Sequence, residues 1–370
     1  MTSKIDIDLR MYGMSGIGRY LQIVLPEVLP HLVASSIRVF CDPEDVLGEP
    51  WLEDARVEIC DFRVPIFSVS EQIGGNKRFW KSQALWVPQY NIPLLYRNKL
   101  IVTIHDVCQL AYPESLSSGL QRWYARHLLT TALNRSTAIL CVSEFTRREI
   151  ARLLGADKAP IFVIHPGSGM SPRRTGKPLA LPTGKSYFLA VGNIKKHKNL
   201  GRLLDAFASI QDHVPHDLVL VGKQEGMLNA DFGLTKNAAV LGDRVRFTGL
   251  VSDDELQTFY RNAVALIFPS FYEGFGFPVL EAMAQGCPVA CSNAASLPEI
   301  AEDAALFFDP HNSDSIAGAM MRISTDNDLR RELISKGLQR VQLFDARIAG
   351  RKTADVINAV LNGAPANIQM

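Results

Sequence analysis

No stretch of this sequence is apolar for the ~20 residues that a membrane-crossing helix requires. Its start, MTSKIDIDLRMYG, lacks the basic opening and apolar core of a secretion signal. Charge of one sign is also missing: 39 Lys+Arg against 38 Asp+Glu leave a net charge of +1. A nucleic-acid binder needs a strong basic surplus, so no nucleic-acid partner is expected. The six cysteines, Cys41, Cys60, Cys108, Cys141, Cys287 and Cys291, form no C-x-x-C pair. Most lie inside apolar runs such as AILCVS and CPVACS, which reads as buried thiols in a reducing compartment. The expected location is the cytoplasm. Metal-ligand spacing is absent as well. Asp6-Ile7-Asp8 falls inside a strand-like run, Asp326-Asn327-Asp328 reads as a turn or helix start, and the histidines are scattered. Neither a metal nor a cofactor is expected.

What is present is alternation. Short, continuously apolar runs recur at Ile5–Leu9, Ile37–Cys41, Leu100–His105, Ala138–Ser143 and Ile161–His165, then at Tyr187–Gly192, Leu218–Gly222, Val245–Gly249, Ala265–Pro269, Pro288–Ser292 and Ala305–Asp309. Helix-length amphipathic stretches separate them, as in parallel sheets covered on both faces. In Asn199–Gln211, Leu200, Leu203, Leu204, Phe207 and Ile210 make one apolar stripe. Ser252 with Glu255 makes a capping box, and Phe277–Gln285 starts with Pro278 and stops at Gly286. At 370 residues the chain exceeds one ordinary core, so two doubly wound α/β domains are expected. The Pro- and Gly-rich segment Ser171–Ser186 is the natural linker. Expected boundaries are 1–170, 171–345, and a last helix over 346–370 returning to the first domain.

The segment FPSFYEGFGFPVLEAMAQGCPVACSNAASLPEIAEDAALFFDP, Phe268–Pro310, carries the chemistry. It leaves a strand end, passes a glycine loop and enters a helix, the edge at which open parallel sheets bind ligands. Gly274 and Gly276 allow close backbone approach. The N–H groups of Phe275, Gly276 and Phe277, with the helix dipole, suit an anion such as a diphosphate. Glu273 and Glu281 flank the loop, and a carboxylate can accept from two adjacent hydroxyls. From residue types alone, Glu281 as a solvated helix charge and Glu273 as a loop charge stay open.

This segment resembles the E-x7-E signature of the retaining GT-B glycosyltransferases of family four. YFLAVGNIKKHKN (Tyr187–Asn199), LVLVGK (Leu218–Lys223), VRFTGLVSDDELQTFY (Val245–Tyr260) and SLPEI (Ser296–Ile300) follow the family in order across nearly the whole second half. The resemblance implies a GT-B fold and a nucleotide-sugar donor bound mainly by that half. By its implication Glu281 holds the nucleotide ribose and Glu273 the sugar hydroxyls near the reacting carbon. Lys198 matches the phosphate-binding lysine, and Val251 the position whose backbone meets the base. Where the family often has an arginine, this chain has Asn193, leaving Lys195, Lys196 or Arg19 to supply the cation.

The first half resembles the family more loosely. MYGMSGIGRY (Met11–Tyr20), with Gly16, Gly18 and Arg19, matches the Gly-rich acceptor or phosphate loop. TIHDVCQLAYP (Thr103–Pro113) matches the segment whose strand-end histidine, here His105 beside Asp106, faces the donor sugar. The implied activity is metal-independent transfer of a hexose, with retention, to a saccharide or lipid-linked acceptor. GIGRY, TIHD, VGN and KN are most similar to bacterial transferases of O-antigen or exopolysaccharide assembly, so mannose from GDP-mannose is the leading expectation. A GT-B nucleotide-sugar epimerase and a nonenzymatic nucleotide-sugar-binding subunit are the alternatives. Basic and aromatic clusters in the first half (Lys77, Arg78, Trp80, Lys81; Arg122, Trp123, Arg126, His127; Arg147, Arg148, Arg152) predict peripheral contact with an anionic membrane.

Overall fold

In a computed structural model of the chain, the described residues are 3–66, 68, 70–72, 78–79, 82–112, 118–155, 159–170, 186–223 and 241–363. The linker segment 171–185 lies outside them, as do Lys77, Trp80 and Lys81. Two compact units are formed: Met1–Gly169 with Phe344–Met370, and Met170–Leu343.

The first unit holds strands β1 (Lys4–Asp8), β2 (Ser36–Cys41), β3 (Val57–Asp61), β4 (Ala84–Val87), β5 (Lys99–Ile104), β6 (Ala138–Cys141) and β7 (Ile161–Val163). All pair in parallel, in the order β3-β2-β1-β4-β5-β6-β7, so the winding reverses between β1 and β4. The apolar runs mark five of these strands. They miss β3, a half-exposed strand at the sheet edge, and β4, whose four residues are all buried. The helix Ala346–Asn362 covers this unit, packing against the helix Ser15–Val28 and the neighbouring strands. Its last turn is tied down through the Leu361 carbonyl, which accepts from Gln83 Nε2 at 2.8 Å and Lys99 Nζ at 3.0 Å. Asn358 also clasps the chain after the first helix, accepting from Val33 N at 3.0 Å and donating to the His31 carbonyl at 2.9 Å.

The second unit holds β8 (Tyr187–Val191), β9 (Asp217–Val221), β10 (Val245–Gly249), β11 (Ala265–Phe268), β12 (Val289–Ser292) and β13 (Leu306–Phe308). These are parallel in the order β10-β9-β8-β11-β12-β13, with the reversal between β8 and β11. The helix Leu200–Ile210 buries all five residues of the expected stripe. Fully burying side chains such as Leu203, Leu204 and Phe207 contributes ~1.5–3 kcal/mol each. The capping box forms as read, Ser252 Oγ accepting from Glu255 N at 3.3 Å and Glu255 Oε2 accepting from Ser252 N at 2.8 Å. None of the six cysteines is in a disulfide, and all but Cys60 are buried.

Asp6-Ile7-Asp8 lies in β1. Both carboxylates face arginines: Arg38 donates to Asp6 at 2.7 Å and Arg10 to Asp8 at 2.6 Å. Asp326 caps the helix Asn327–Val341 by accepting from Leu329 N at 2.8 Å.

Candidate active site

A doubly wound sheet opens a crevice at its carboxyl edge where the strand order reverses. In the second unit that edge lies between β8 and β11, and Lys198 and Glu273 sit in the loops that follow these two strands. The topology brings them into contact: Lys198 Nζ lies 2.7 Å from Glu273 Oε1, and the two side chains are only 17% and 13% exposed. Lys198 Nζ also sits 5.2 Å from the centre of the Phe268 ring at the end of β11. A charged hydrogen bond this sheltered is among the stronger kinds.

Side chains that the sequence did not single out sew the two loops together. Asn199, in a left-handed backbone conformation (φ 58°), donates through Nδ2 to the carbonyls of Pro269 at 3.0 Å and Pro310 at 2.7 Å. Phe271 N donates to the His197 carbonyl at 2.8 Å. Ser296 occupies a helix-start position, yet its hydroxyl caps nothing. It lies 2.9 Å from the Glu273 carbonyl and 2.8 Å from that of Phe275, holding the glycine loop from behind. The available signals were Asn, which tolerates a left-handed conformation, and Ser before Leu-Pro; both read as ordinary helix-start letters.

Gly276 has φ +112°, and a Cβ there would come 2.7 Å from Leu297 Cδ2. Only glycine fits, and it lets the chain turn from the loop into the helix Phe277–Ala284. Gly274 and Phe275 are buried in the loop, and Phe277 packs edge-on to Phe275 with ring centres 5.0 Å apart. Glu281 follows one turn into the helix. It is 4% exposed, so it is no solvated helix charge. Its Oε2 accepts from Tyr260 Oη at 3.0 Å, and Tyr260 is itself fully buried. Tyr260→Phe is expected to weaken nucleoside diphosphate binding by ~0.5–1.5 kcal/mol, the net worth of one hydrogen bond, by loosening Glu281. Titration calorimetry showing wild-type affinity would separate Tyr260 from the site.

Asn193, at the position where the family often has arginine, is turned toward the backbone: its Oδ1 accepts from Lys223 N at 3.2 Å. Lys195 and Lys196 are exposed beside it. Val251 is half-buried in the loop after β10. Among the described residues no group of three or more His, Cys, Asp and Glu side chains could hold a metal ion.

The remaining sequence-derived positions belong to the first unit. His105 ends β5. Its ring meets Tyr20 edge to face at 4.8 Å, its Nε2 lies 2.9 Å from the Pro88 carbonyl, and burial pushes its pKa down to about 4. Tyr20 belongs to the helix opened by the glycine-rich loop, so His105 and that helix are brought together. Gly18 is buried, and a Cβ on it would strike the Tyr12 carbonyl at 2.4 Å, so the loop packs closely on the helix there. Gly16 is exposed with open space around it. Arg19 Nη2 donates to the Gly169 carbonyl at 3.3 Å.

Comparison with known proteins agrees with this fold. A family profile described as glycosyl transferases group 1 matches residues 173–340, and one described as glycosyltransferase family 4 matches residues 81–168. The chain is 32% identical over 257 residues to the O-antigen chain mannosyltransferase B of Escherichia coli. The chain belongs to glycosyltransferase family four. It is also 31% identical over 250 residues to the O-antigen chain mannosyltransferase RfbU of Salmonella typhimurium. Each alignment spans 66% of this chain and 66% of the curated relative. Among solved structures, HepE of Anabaena in complex with UDP and glucose superposes with a TM-score of 0.76 at 17% identity, covering 96% of this chain and 100% of HepE. The fold of this family-four member is therefore GT-B, each unit being one of its two Rossmann-like domains. No helix among its described residues is long and apolar enough to cross a membrane.

Proposed function

We propose that this family-four protein is a retaining, metal-independent hexosyltransferase that uses a nucleotide-sugar donor in surface polysaccharide assembly. The observation that carries the reading is the sheltered Lys198–Glu273 pair at the sheet reversal, beside the start of the helix that bears buried Glu281. Glu281 takes the ribose hydroxyls. Lys198 and the N-terminus of the helix Phe277–Ala284 take the diphosphate, and Glu273 takes hydroxyls of the sugar.

In the reaction the bond between the anomeric carbon and the diphosphate oxygen breaks, and its electron pair leaves with the diphosphate. Lys198 and the helix dipole offset that growing charge in place of a metal ion. The sugar passes through an oxocarbenium-like state. The acceptor hydroxyl attacks from the face that the diphosphate leaves, and its proton passes to a diphosphate oxygen. Glu273 suits hydroxyl binding better than nucleophilic attack, because its Oε1 is already committed to an ammonium. His105 contributes as a neutral group beside the donor sugar.

Mannose is the proposed sugar, on the names of the O-antigen relatives. The test is a panel of GDP-, UDP-, dTDP- and ADP-sugars assayed for nucleoside diphosphate release and acceptor product. Transfer from a GDP-hexose, undiminished in EDTA and giving the donor's anomeric configuration, is expected. Activity lost to chelation and restored by Mg²⁺ would sink metal independence. Epimerised donor without acceptor, or binding without turnover, would favour the two other readings.

We further propose a cytoplasmic enzyme that touches an anionic membrane surface through the helix Gly119–Arg135. Its Leu120 and Trp123 are 74% and 62% exposed, next to Arg122 and Arg126. The neighbouring cluster is weaker than its letters suggest, since Arg147 pairs with Glu144 at 2.7 Å and Arg152 with Glu149 at 2.6 Å. Cosedimentation with anionic vesicles should be salt-sensitive and reduced by Trp123→Ala with Arg122→Glu. Equal recovery on neutral and anionic vesicles would remove the membrane from this proposal.

A further inference from the structure

The carboxyl edge of the first sheet carries a concave feature that the candidate site does not use. Beyond the end of β3 lies an open groove of about 670 Å³, whose walls include Asp61, Phe62, Arg63, Val64, Ser70 and Arg78. Ligand pockets usually measure about 300–1,000 Å³, so the groove is large enough to hold a small molecule or part of a chain. Because β2 separates β3 from β1, it lies two strand spacings, about 10 Å, from β1 and the glycine-rich loop that follows.

The floor of the groove is fixed. Phe62 is 2% exposed and meets Phe40 and Phe79 edge to face, with ring centres 6.2 and 5.8 Å away. The guanidinium of Arg10 lies 4.7 Å from the centre of the Phe62 ring, and that of Arg78 lies 5.3 Å from it. Arg10 is itself buried. It pairs with Asp8 and Glu71, each at 2.6 Å, and donates to the Val64 carbonyl at 3.2 Å. The segment after β1 therefore braces the groove from behind.

The rim decides what can enter. Arg63 faces three carboxylates, Asp61 at 3.2 Å, Asp42 at 3.3 Å and Glu44 at 3.6 Å. Arg78 donates to the main-chain carbonyl of Asp61. Among the described residues, these two guanidinium groups stand against three carboxylates, and the buried Arg10 behind them stands against two. The negative excess repels a phosphate or a nucleotide. It suits a neutral ligand rich in hydroxyls, because carboxylates accept from hydroxyls while guanidinium groups donate to them. Val64 adds an apolar surface for the carbon face of a sugar ring.

We propose that this groove holds the saccharide chain being extended, at residues set back from the one that receives the hexose. This rests on the reading of the protein as a hexosyltransferase whose acceptor ends at the loop after β1. The groove touches no reacting atom. It makes the enzyme favour an acceptor several sugars long over a single sugar.

The test compares methyl mannoside, mannobiose and mannotriose as acceptors, chosen to match the proposed sugar. Wild type is set beside Arg63→Ala with Arg78→Ala. Both side chains are exposed, so the double variant should fold, as thermal melting will check. In wild type the acceptor KM should fall roughly five- to tenfold from the single sugar to the trisaccharide, as one or two new hydrogen bonds would give. The double variant should lose that gain and keep its KM for the single sugar and its affinity for GDP. A gain that survives the substitutions, or a loss of GDP affinity, would overturn the groove and leave the transferase reading intact. A wild-type KM indifferent to length, or mannotriose displaced by pyrophosphate, would overturn it as well. Saturation-transfer NMR follows mannotriose without donor. Contact that disappears in the double variant, in an enzyme that transfers nothing, would overturn the transferase reading and keep the groove as a saccharide site.

Discussion

Glu273→Ala is expected to bind free nucleoside diphosphate as well as wild type or slightly better, while turnover falls roughly 10²–10³-fold, as when an enzyme loses one preorganised group of its transition-state site. The expectation follows from the ion pair. Before donor arrives, Lys198 spends its charge on Glu273 at 2.7 Å. A diphosphate must compete for that ammonium, so removing the carboxylate removes a competitor. The sugar has the opposite experience. It loses the group that holds its hydroxyls as the anomeric centre flattens, and that loss is felt in kcat. Calorimetry with nucleoside diphosphate, paired with steady-state rates, checks both halves. A parallel fall in nucleotide affinity would mean that Glu273 serves the nucleotide and that the roles of the two glutamates are reversed.

Glu281→Ala should weaken nucleoside diphosphate binding by about 1.5–3 kcal/mol, the cost of losing a charged hydrogen-bonding partner. Here the effect should appear in affinity for the nucleotide itself, with or without a sugar attached. The variant also leaves the buried Tyr260 hydroxyl without its carboxylate, so some loss of thermal stability is expected alongside. The two effects are separable. Folding is followed by thermal melting in the absence of nucleotide, and affinity is measured well below the melting point. A folded variant with unchanged affinity would remove Glu281 from the ribose site.

The second unit is the more legible in sequence, and the reason is physical. Its inner strands β8, β9, β11 and β12 are almost wholly buried, so they read as continuous apolar runs, and its helices begin with chemistry that stands out, such as Ser252 with Glu255. In the first unit β3 lies half-exposed at the sheet edge and leaves no such trace. Glu273 and Glu281 were recognisable because they share one loop and helix. Their pairings were not. Lys198 lies 75 positions from Glu273, and Tyr260 lies 21 from Glu281; those meetings are made by strand order and helix packing. Asn199 and Ser296 hide for another reason: they work on backbone carbonyls, and a polar letter does not announce which carbonyl it will serve. In the basic clusters, Arg147 and Arg152 are surface charges as their letters suggest, and each also has an acidic neighbour one helical turn away.

The returning helix Ala346–Asn362 also has a consequence in time. As the chain leaves the ribosome, the second unit is complete once Leu343 has emerged. The first unit, although its strands are made earlier, still lacks the helix that covers Ser15–Val28 and clasps Gln83 and Lys99. Domains ordinarily mature in the order of synthesis. In this chain the order of completion is reversed: the half that begins first closes last, and a nascent chain carries an uncovered apolar helix face until its final helix is made.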